Sequence, residues 1–299
     1  MKVAITGASG MIGRALSSRL TSEGHEVIAV VRRTAAAGEV WWDPVRGEMD
    51  ARGLEGVDAV VHLAGAGIGD KRWNAAYKEE LLESRVKGTE LLARTLPALD
   101  RPPAVLLSAS AIGFYGDRGD EVLTETSGPG KGFLADLCQA WEHAAEPVAE
   151  AGIRTVYLRT GIVLSAAGGA LKKQLPLFKF GLGGKMGSGR QWMSWIALDD
   201  EVGAIVHLLT SSLSGPVNLV APNAVTNGEF TATLASVLHR PAVLPIPPFG
   251  PKLLLGSEMA EHLLFYSQHV RAQRLEEDGF RFAHPALRDA LEVSVRRAS

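Results

Sequence analysis

The sequence predicts an α/β protein with a Rossmann-type doubly wound parallel sheet and a smaller C-terminal lobe. Two observations lead to this fold class. A short apolar run, a glycine-rich turn and an amphipathic helix follow one another within the first 20 residues. Apolar runs then alternate with helical patterns through the first half of the chain. Such alternation is typical of parallel strands joined by crossover helices.

The opening turn has glycines at three-residue spacing, Gly7, Gly10 and Gly13, between the predicted strand 3–5 and the helix. The first glycine allows a tight turn, the second leaves space for a pyrophosphate, and the third lets the helix pack closely on the strand. The helix start offers unpaired N–H groups and a positive dipole end to phosphates. In this context the spacing predicts a dinucleotide-binding site.

The remaining apolar runs predict further strands and two long helices. The predicted strands are residues 26–31, 40–42, 59–63, 104–107, 155–158 and 217–220, and the helices are residues 77–96 and 133–151. These elements assign residues 1–165 to a Rossmann lobe. Residues 198–222 are predicted to complete the sheet of this lobe. A substrate lobe then comprises residues 166–197 and 223–299.

The second half of the chain departs from the alternating pattern. Residues 166–191 are rich in glycine, basic and aromatic residues, which predicts a substrate-facing excursion. Thr226 and Glu229 have capping-box spacing before an apolar run. Residues 241–251 are rich in proline and predict a rigid connector. Asp199 and Asp200 precede an apolar helix and are interpreted as helix caps.

Bulk composition excludes several classes of function. The net charge of −2 gives no electrostatic basis for binding nucleic acid or an anionic membrane. A single cysteine excludes an intrachain disulfide, and the eight histidines show no ligand-like pairing, so no metal is predicted. No segment has the roughly 18 uninterrupted apolar residues of a membrane span. The first strand begins at residue 3, which leaves no room for a leader peptide, so a cytoplasmic location is expected.

The end of the second strand indicates which nicotinamide cofactor would bind. An NAD site commonly has an acidic residue about 20 positions after the glycines. Here the strand ends with Arg32 and Arg33 instead. Guanidinium groups hold a 2′-phosphate by charge-assisted hydrogen bonds, so NADP(H) is favoured over NAD(H). The alternative is that both arginines are simply solvated.

Several motifs together resemble the extended short-chain dehydrogenase/reductase superfamily. They are residues 6–13, 62–65, 108–116 and 195–200. Five more are similar to an atypical branch of sugar-nucleotide epimerase-like proteins: residues 42–44, 71–73, 84–85, 181–184 and 279–282. The resemblance spans essentially the whole chain, and the tail matches the small C-terminal module of that branch.

The resemblance implies a nicotinamide cofactor at the carboxyl edge of the sheet. It places Leu63 and Ala64 against the cofactor, and Glu80 and Arg85 near its adenine end. Alternatively, Glu80 and Arg85 form a pair on the surface of the helix and do not contact the cofactor. The residues predicted to bind the cofactor are Thr6, Gly7, Ser9, Gly10, Met11, Ile12, Gly13, Arg32, Arg33, Leu63, Ala64, Gly65, Glu80, Arg85 and Ser108.

The resemblance also exposes a departure from the superfamily. Active members use a tyrosine as acid/base and a lysine four residues later, whose ammonium lowers the pKa of the phenol. When Glu142 is aligned with the acidic residue that usually follows the lysine, Leu134 stands at the tyrosine position and Cys138 at the lysine position. Neither side chain can do this chemistry, and Cys138 is interpreted as an inert core residue.

Ser110 and Tyr115 are the remaining candidates for catalysis. Ser110 matches the serine that orients substrate in the superfamily; its alternative role is a cap of the turn after the strand. Tyr115 follows five residues later and is the best remaining proton donor. In the excursion, Lys185, Arg190 and Trp192 are predicted to bind substrate, since cations take phosphate and indoles stack on a base or sugar. A solvated basic loop is the equal alternative.

Two classes of function follow. The first is an NADP(H)-dependent epimerase or oxidoreductase, acting on a sugar nucleotide or a small carbonyl compound. The second is a non-catalytic NADP(H)-binding redox sensor or scaffold that has lost the tyrosine and lysine. In related proteins the helices at 77–96 and 133–151 often form a dimer interface, so a homodimer is also considered.

Overall fold

The computed structural model describes residues 1–296, which form two compact units. The first unit comprises residues 1–111, 136–159 and 202–217. The second comprises residues 112–135, 160–201 and the chain from residue 218 onward. This division places residues 112–135 in the second unit, whereas the sequence assigns them to the first lobe. The predicted lobe boundaries themselves stay a prediction.

The first unit is built on an eight-stranded sheet with the order β12-β8-β6-β5-β1-β2-β3-β4. The strands are β1 (Lys2–Thr6), β2 (Glu26–Val31), β3 (Glu39–Asp43), β4 (Glu48–Met49), β5 (Ala59–His62), β6 (Val105–Ala111), β8 (Arg154–Thr160) and β12 (Gly215–Leu219). β1 pairs in parallel with β2 on one side and with β5 on the other. The strand order therefore changes direction at β1, where ligands bind in doubly wound sheets.

Helices cover this sheet and bury its apolar side chains. They are α1 (Met11–Ser22), α2 (Ala75–Thr95), α3 (Phe133–Glu150) and α5 (Leu198–Thr210). Asn74 caps α2 by accepting a hydrogen bond from the backbone N–H of Tyr77 at 2.8 Å. One core cluster joins Ala4 and Val60 of the sheet to Leu92 of α2. Near-continuous apolar runs suit strands that are buried on both faces.

The second unit combines short strands with helices. Its elements are β7 (Val122–Leu123), β9 (Ile162–Leu164), α4 (Gly169–Lys179), β10 (Trp192–Met193), β11 (Trp195–Ala197), β13 (Val225–Thr226), α6 (Asn227–Leu238), α7 (Phe249–Leu255), α8 (Ser257–Ala260), β14 (His269–Val270), α9 (Gln273–Glu277) and α10 (Leu287–Arg296). Its core cluster includes Trp195, Phe230 and Leu291, all nearly or fully buried. No helix in residues 1–296 is long and apolar enough to cross a membrane.

The predicted α/β class and the seven predicted strands are confirmed, with shifted ends. β6 runs to Ala111, so Ser108 and Ser110 lie within the strand and not after it. The capping box of Thr226 and Glu229 is confirmed at the start of α6. The capping interpretation of Asp199 and Asp200 is wrong, because both residues lie inside α5. The carboxylate of Asp200 instead accepts hydrogen bonds from the backbone N–H groups of residues 283 and 284, at 2.6 and 3.0 Å.

Candidate cofactor and active site

The glycine turn between β1 and α1 is open and lacks a competing acid. Gly7 has a φ of +69°, and a Cβ there would come within 2.9 Å of the Leu63 carbonyl group. A Cβ on Gly13 would collide with the backbone of Gly7 and Ala8. Gly10 begins α1 without a capping side chain, and the first turn contains no acidic residue. Ser9 and Gly10 are exposed, so the turn fits a phosphate group at the helix start.

Buried side chains hold this turn against the end of β5. The Thr6 hydroxyl accepts the N–H groups of Leu63 and Ala64 at 3.1 and 3.2 Å and contacts Nδ1 of His62 at 2.7 Å. Nε2 of His62 lies 3.0 Å from the Thr89 hydroxyl, and this hydroxyl donates its hydrogen bond to the Arg85 carbonyl group. This chain of donors fits a neutral imidazole protonated at Nε2. Burial lowers the pKa of His62 to about 3, so His62 orders the site and carries no charge at neutral pH.

The two predicted phosphate-binding arginines have different surroundings. Arg33 makes a two-pronged ion pair with Glu39, with N···O distances of 2.7 and 2.5 Å. The hydrogen bond to Glu39 raises the pKa of Arg33 and lowers that of Glu39. Arg32 is exposed and makes no hydrogen bond or ion pair with any residue in 1–296. The guanidinium of Arg32 is therefore the one available to a ligand.

Glu80 and Arg85 of α2 do not form the surface pair considered from the sequence. Glu80 is exposed and pairs with Lys71 at 2.9 Å. Arg85 is buried, and its guanidinium donates to the carbonyl groups of Leu81 and Ala66 at 3.0 Å. Ser108 on β6 is also buried, and its hydroxyl has no partner within the described chain.

Ser110 belongs to a buried cluster with a carboxylate and a guanidinium. Its hydroxyl donates to Oε1 of Glu142 at 2.6 Å. Arg159 on β8 holds the same carboxylate through Nε and Nη2, both at 2.8 Å. Because a serine has one proton, the Ser110 oxygen meets any ligand as a hydrogen-bond acceptor. The pair of Glu142 and Arg159 thus fixes both the position and the polarity of Ser110.

Tyr115 lies fully buried in the second unit. Its hydroxyl donates to Oδ1 of Asn218 at 2.7 Å, and its ring packs edge-on against Phe114. The Nδ2 group of Asn218 in turn donates to the Arg271 carbonyl at 2.8 Å. The phenolic proton of Tyr115 is therefore directed to Asn218, and its use in catalysis would require that bond to break.

The positions of the missing tyrosine and lysine lie on α3. Leu134 is half-buried and Cys138 is buried. Burial raises the pKa of the Cys138 thiol to about 12, which keeps it protonated at neutral pH. Neither residue can transfer a proton in place of the absent pair.

Part of the predicted excursion forms the helix α4, which the sequence did not indicate. The predicted substrate-binding residues follow this helix in the chain. Lys185 and Arg190 are exposed after this helix. Trp192 donates its indole N–H to Asp120 at 3.0 Å and stacks on His269, with ring centroids 4.0 Å apart. One face of the Trp192 indole is therefore already covered by an imidazole.

Glu142, Arg159 and Asn218 are not among the functional residues predicted from the sequence. The sequence does contain a signal for Glu142 and Arg159, because a charged residue inside an apolar strand or on an apolar helix face needs a buried partner. Asn218 gave no such signal. The described residues hold no group of three His, Cys, Asp or Glu side chains that could bind a metal ion.

Comparison with known proteins identifies the class of this α/β protein. Residues 3–220 match the NAD dependent epimerase/dehydratase family, and the chain belongs to it. Residues 246–293 match a domain of unknown function, DUF1731. The two matches confirm the predicted resemblance to the epimerase-like branch with a small C-terminal module.

Particular relatives cover nearly the whole chain. Epimerase family protein Mb2239 of Mycobacterium bovis is 44% identical over 297 residues, which is 99% of this chain and 98% of the relative. The crystal structure of the human epimerase family protein SDR39U1 with NADPH has a TM-score of 0.92 at 34% identity, covering 99% of each chain. A nucleoside-diphosphate sugar epimerase from Corynebacterium glutamicum has a TM-score of 0.79 at 38% identity; the match covers 99% of this chain and 58% of that one.

Proposed function

We propose that this chain is an NADP(H)-dependent epimerase or oxidoreductase acting on a sugar nucleotide or a small carbonyl compound. The observation that carries the proposal is the open glycine turn at the start of α1, together with Arg32 directly after β2, which pairs with no residue in 1–296. NADPH in the human relative supports the cofactor, and the name of the Corynebacterium relative supports the substrate class. When bound, the nicotinamide supplies or accepts the hydride.

Residues of the first unit would hold the cofactor. The turn from Gly7 to Gly13 and the start of α1 would take the diphosphate, and Arg32 the 2′-phosphate. Leu63, Ala64 and Gly65 lie at the end of β5, where the chain is held close to the turn. Ser108 offers a buried hydroxyl that has no hydrogen-bond partner among the described residues.

Arg32→Asp is expected to weaken NADPH binding by about ten-fold or more, because a carboxylate repels the phosphate that a guanidinium would bind. NADH affinity should change little. Titration calorimetry with both cofactors measures the two dissociation constants for wild type and variant. Arg19→Asp, on the exposed side of α1, is the control. A wild type that binds NADH as tightly as NADPH contradicts the cofactor assignment.

Ser110 would orient the substrate. Its oxygen accepts a hydrogen bond from a substrate hydroxyl, while Glu142 and Arg159 keep it in place. Tyr115 stays the predicted proton donor, and its proton would have to leave Asn218. Lys185, Arg190 and Trp192 stay the predicted contacts to a phosphate and a base or sugar.

Ser110→Ala is expected to lower kcat/KM by about ten-fold or more for a substrate with a hydroxyl group at the reacting carbon, since that group loses its hydrogen bond to the Ser110 oxygen. NADPH absorbance gives the rates of oxidation and reduction, and chromatography of the products gives the rate of epimerisation of nucleotide sugars, which leaves the absorbance unchanged. Ser22→Ala, an exposed serine on α1, is the control. Turnover that is unchanged in both Ser110→Ala and Tyr115→Phe removes these residues from the mechanism.

A non-catalytic NADP(H)-binding sensor or scaffold is the second candidate function. It is favoured by Leu134 and the protonated Cys138 at the positions of the usual acid/base pair. Tight NADPH binding without turnover across the whole panel would support it. The cytoplasmic location and the homodimer stay predictions from the sequence.

A further inference from the structure

The exposed apolar side chains of the protein are concentrated in two segments of the second unit. Of the eleven large apolar side chains that are exposed in residues 1–296, eight lie in residues 177–182 and 243–254. They are Leu177, Phe180, Leu182, Val243, Leu244, Phe249, Leu253 and Leu254. Seven of the eight are between 66% and 83% exposed, so they stand out from the surface. Apolar surface concentrated in this way marks an interaction site.

The two segments lie side by side. Nε of Arg240 donates to the Lys179 carbonyl group at 3.0 Å. Further along, the N–H group of Ile246 donates to the Lys185 carbonyl at 2.8 Å, and the N–H group of Gly187 donates to the Ile246 carbonyl at 3.0 Å. The chain after α4 and the proline-rich connector therefore run next to each other, and α7 continues the connector directly.

This surface is basic, although the whole chain is slightly acidic. Residues 172–190 and 240–255 contain seven Lys and Arg and no Asp or Glu. Since the chain has 31 Lys and Arg and 33 Asp and Glu, the remaining residues hold 24 of the former and all 33 of the latter. The net charge of −2 conceals this asymmetry. We call the exposed surface of residues 172–182 and 240–254 the apolar basic face.

Exposed lysines border the apolar side chains of this face. Lys172 and Lys179 are seven residues apart, so they lie on the same side of α4, and both are exposed. Neither ammonium group makes an ion pair within residues 1–296. The exposed Leu177 lies between them in the chain. Lys252 of α7 differs, because it pairs with Glu261 at 2.7 Å and its charge is compensated.

The charge and the residue types favour a lipid surface over a protein as the occupant of the apolar basic face. In a symmetric dimer, a second copy would bring the same basic face against itself, and like charges repel. Six of the eight exposed apolar side chains are Leu or Val, which are under-represented among the residues that dominate protein interfaces. Elements that lie on membranes instead bury Leu and Phe at the headgroup boundary and keep Lys and Arg beside anionic headgroups.

We propose that the apolar basic face binds the surface of a membrane that contains anionic lipids. The apolar side chains of the connector and α7 would enter the boundary between headgroups and acyl chains. Lys172, Lys179 and Arg240 would contact the negative headgroups. The proposal is independent of the proposed function, because it uses none of the residues assigned to the cofactor or to catalysis.

Sedimentation with lipid vesicles tests the proposal. Wild type should bind vesicles of phosphatidylserine and phosphatidylcholine in equal parts at least about ten-fold more tightly than vesicles of phosphatidylcholine alone. Leu253→Ser combined with Leu254→Ser should lower the partition coefficient on the mixed vesicles about ten-fold or more, because these side chains no longer leave water. Val45→Ser, an equally exposed change in the first unit, is the control.

A charge variant separates the electrostatic contribution. Lys172→Gln combined with Lys179→Gln should weaken binding to the mixed vesicles about ten-fold and leave binding to phosphatidylcholine unchanged. Arg46→Gln combined with Arg52→Gln, two exposed positions of the first unit, is the control. All substituted side chains of the face are exposed, so the Tm and the NADPH affinity of both variants should equal those of wild type.

A fluorescent label reports whether the face enters the lipid. The single cysteine, Cys138, is buried, so Leu253→Cys takes one bimane label at the face. Its emission should shift to the blue on the mixed vesicles, and that of labelled Val45→Cys should not. No vesicle binding by wild type, equal binding to both kinds of vesicle, or no emission shift would each overturn the inference. Self-association of wild type that Leu253→Ser with Leu254→Ser abolishes, without vesicle binding, would assign the face to a second copy and also overturn it.

Discussion

Arg159→Met is expected to lower the free energy of unfolding by about 3–5 kcal/mol. The side chains of Arg159 and Glu142 are only 5% and 10% exposed, and the guanidinium satisfies both carboxylate oxygens. Removing it leaves a buried carboxylate whose remaining partner is the Ser110 hydroxyl. Urea denaturation at pH 7 measures the change.

The control for this prediction is an ion pair that is more exposed to solvent. Arg118 pairs with Glu121 at 2.6 Å, but the two side chains are 26% and 49% exposed. Arg118→Met should therefore cost less than about 1 kcal/mol. Adding Glu142→Leu to Arg159→Met should recover most of the lost stability, since no charge then stays buried alone. A double variant as unstable as Arg159→Met alone would show that the ion pair is not the cause.

The first unit could be predicted from sequence because its signals are local. Parallel strands buried on both faces read as continuous apolar runs, and the turn after β1 needs glycine for steric reasons. Gly7 has a left-handed backbone, and Gly13 has no space for a Cβ. Each of these requirements concerns residues close together in the chain, so the sequence displays them directly.

The difference between Arg32 and Arg33 could not be predicted in the same way. Both follow β2 and have the same charge. Glu39 reaches Arg33 because β3 pairs in parallel with β2, with Ala29 opposite Glu39. The register of β2 and β3 thus decides which guanidinium is available to a ligand. The sequence of two adjacent arginines does not reveal this register.

The support of Ser110 depends on pairing across the sheet. Ser110, Glu142 and Arg159 come from β6, α3 and β8, and β6 and β8 are neighbours only in the folded sheet. The sequence shows a charged residue in each apolar segment but not which charges meet. The same holds for Arg85, whose burial depends on how α2 packs against α3.

Stability is expected to fall as the pH rises from neutral to about 8 and to level off above that, and Glu201→Gln should remove much of this fall. Glu201 is buried, receives one hydrogen bond from Thr160 at 2.8 Å, and its Oε2 has no partner in residues 1–296. Burial raises its pKa from 4.5 to about 8. The folded state therefore binds more protons than the unfolded state between these values, and unfolding becomes easier as the pH increases through this range. The full effect from pH 4.5 to 8 is about 5 kcal/mol, of which about 1–2 kcal/mol falls above pH 7.

The pH range of the experiment separates Glu201 from His62. The imidazole has a folded pKa of about 3 and an ordinary value of 6.5, so its contribution to stability is lost only as the pH falls below 6.5. Urea denaturation between pH 6.5 and 9 thus leaves that contribution constant. Gln keeps the acceptor for Thr160 without a titrating proton, so the variant should have the flatter profile and the larger stability at pH 9. Glu90→Gln, an exposed change on α2, should follow wild type. Equal slopes for wild type and Glu201→Gln would mean that the buried carboxyl does not titrate in this range.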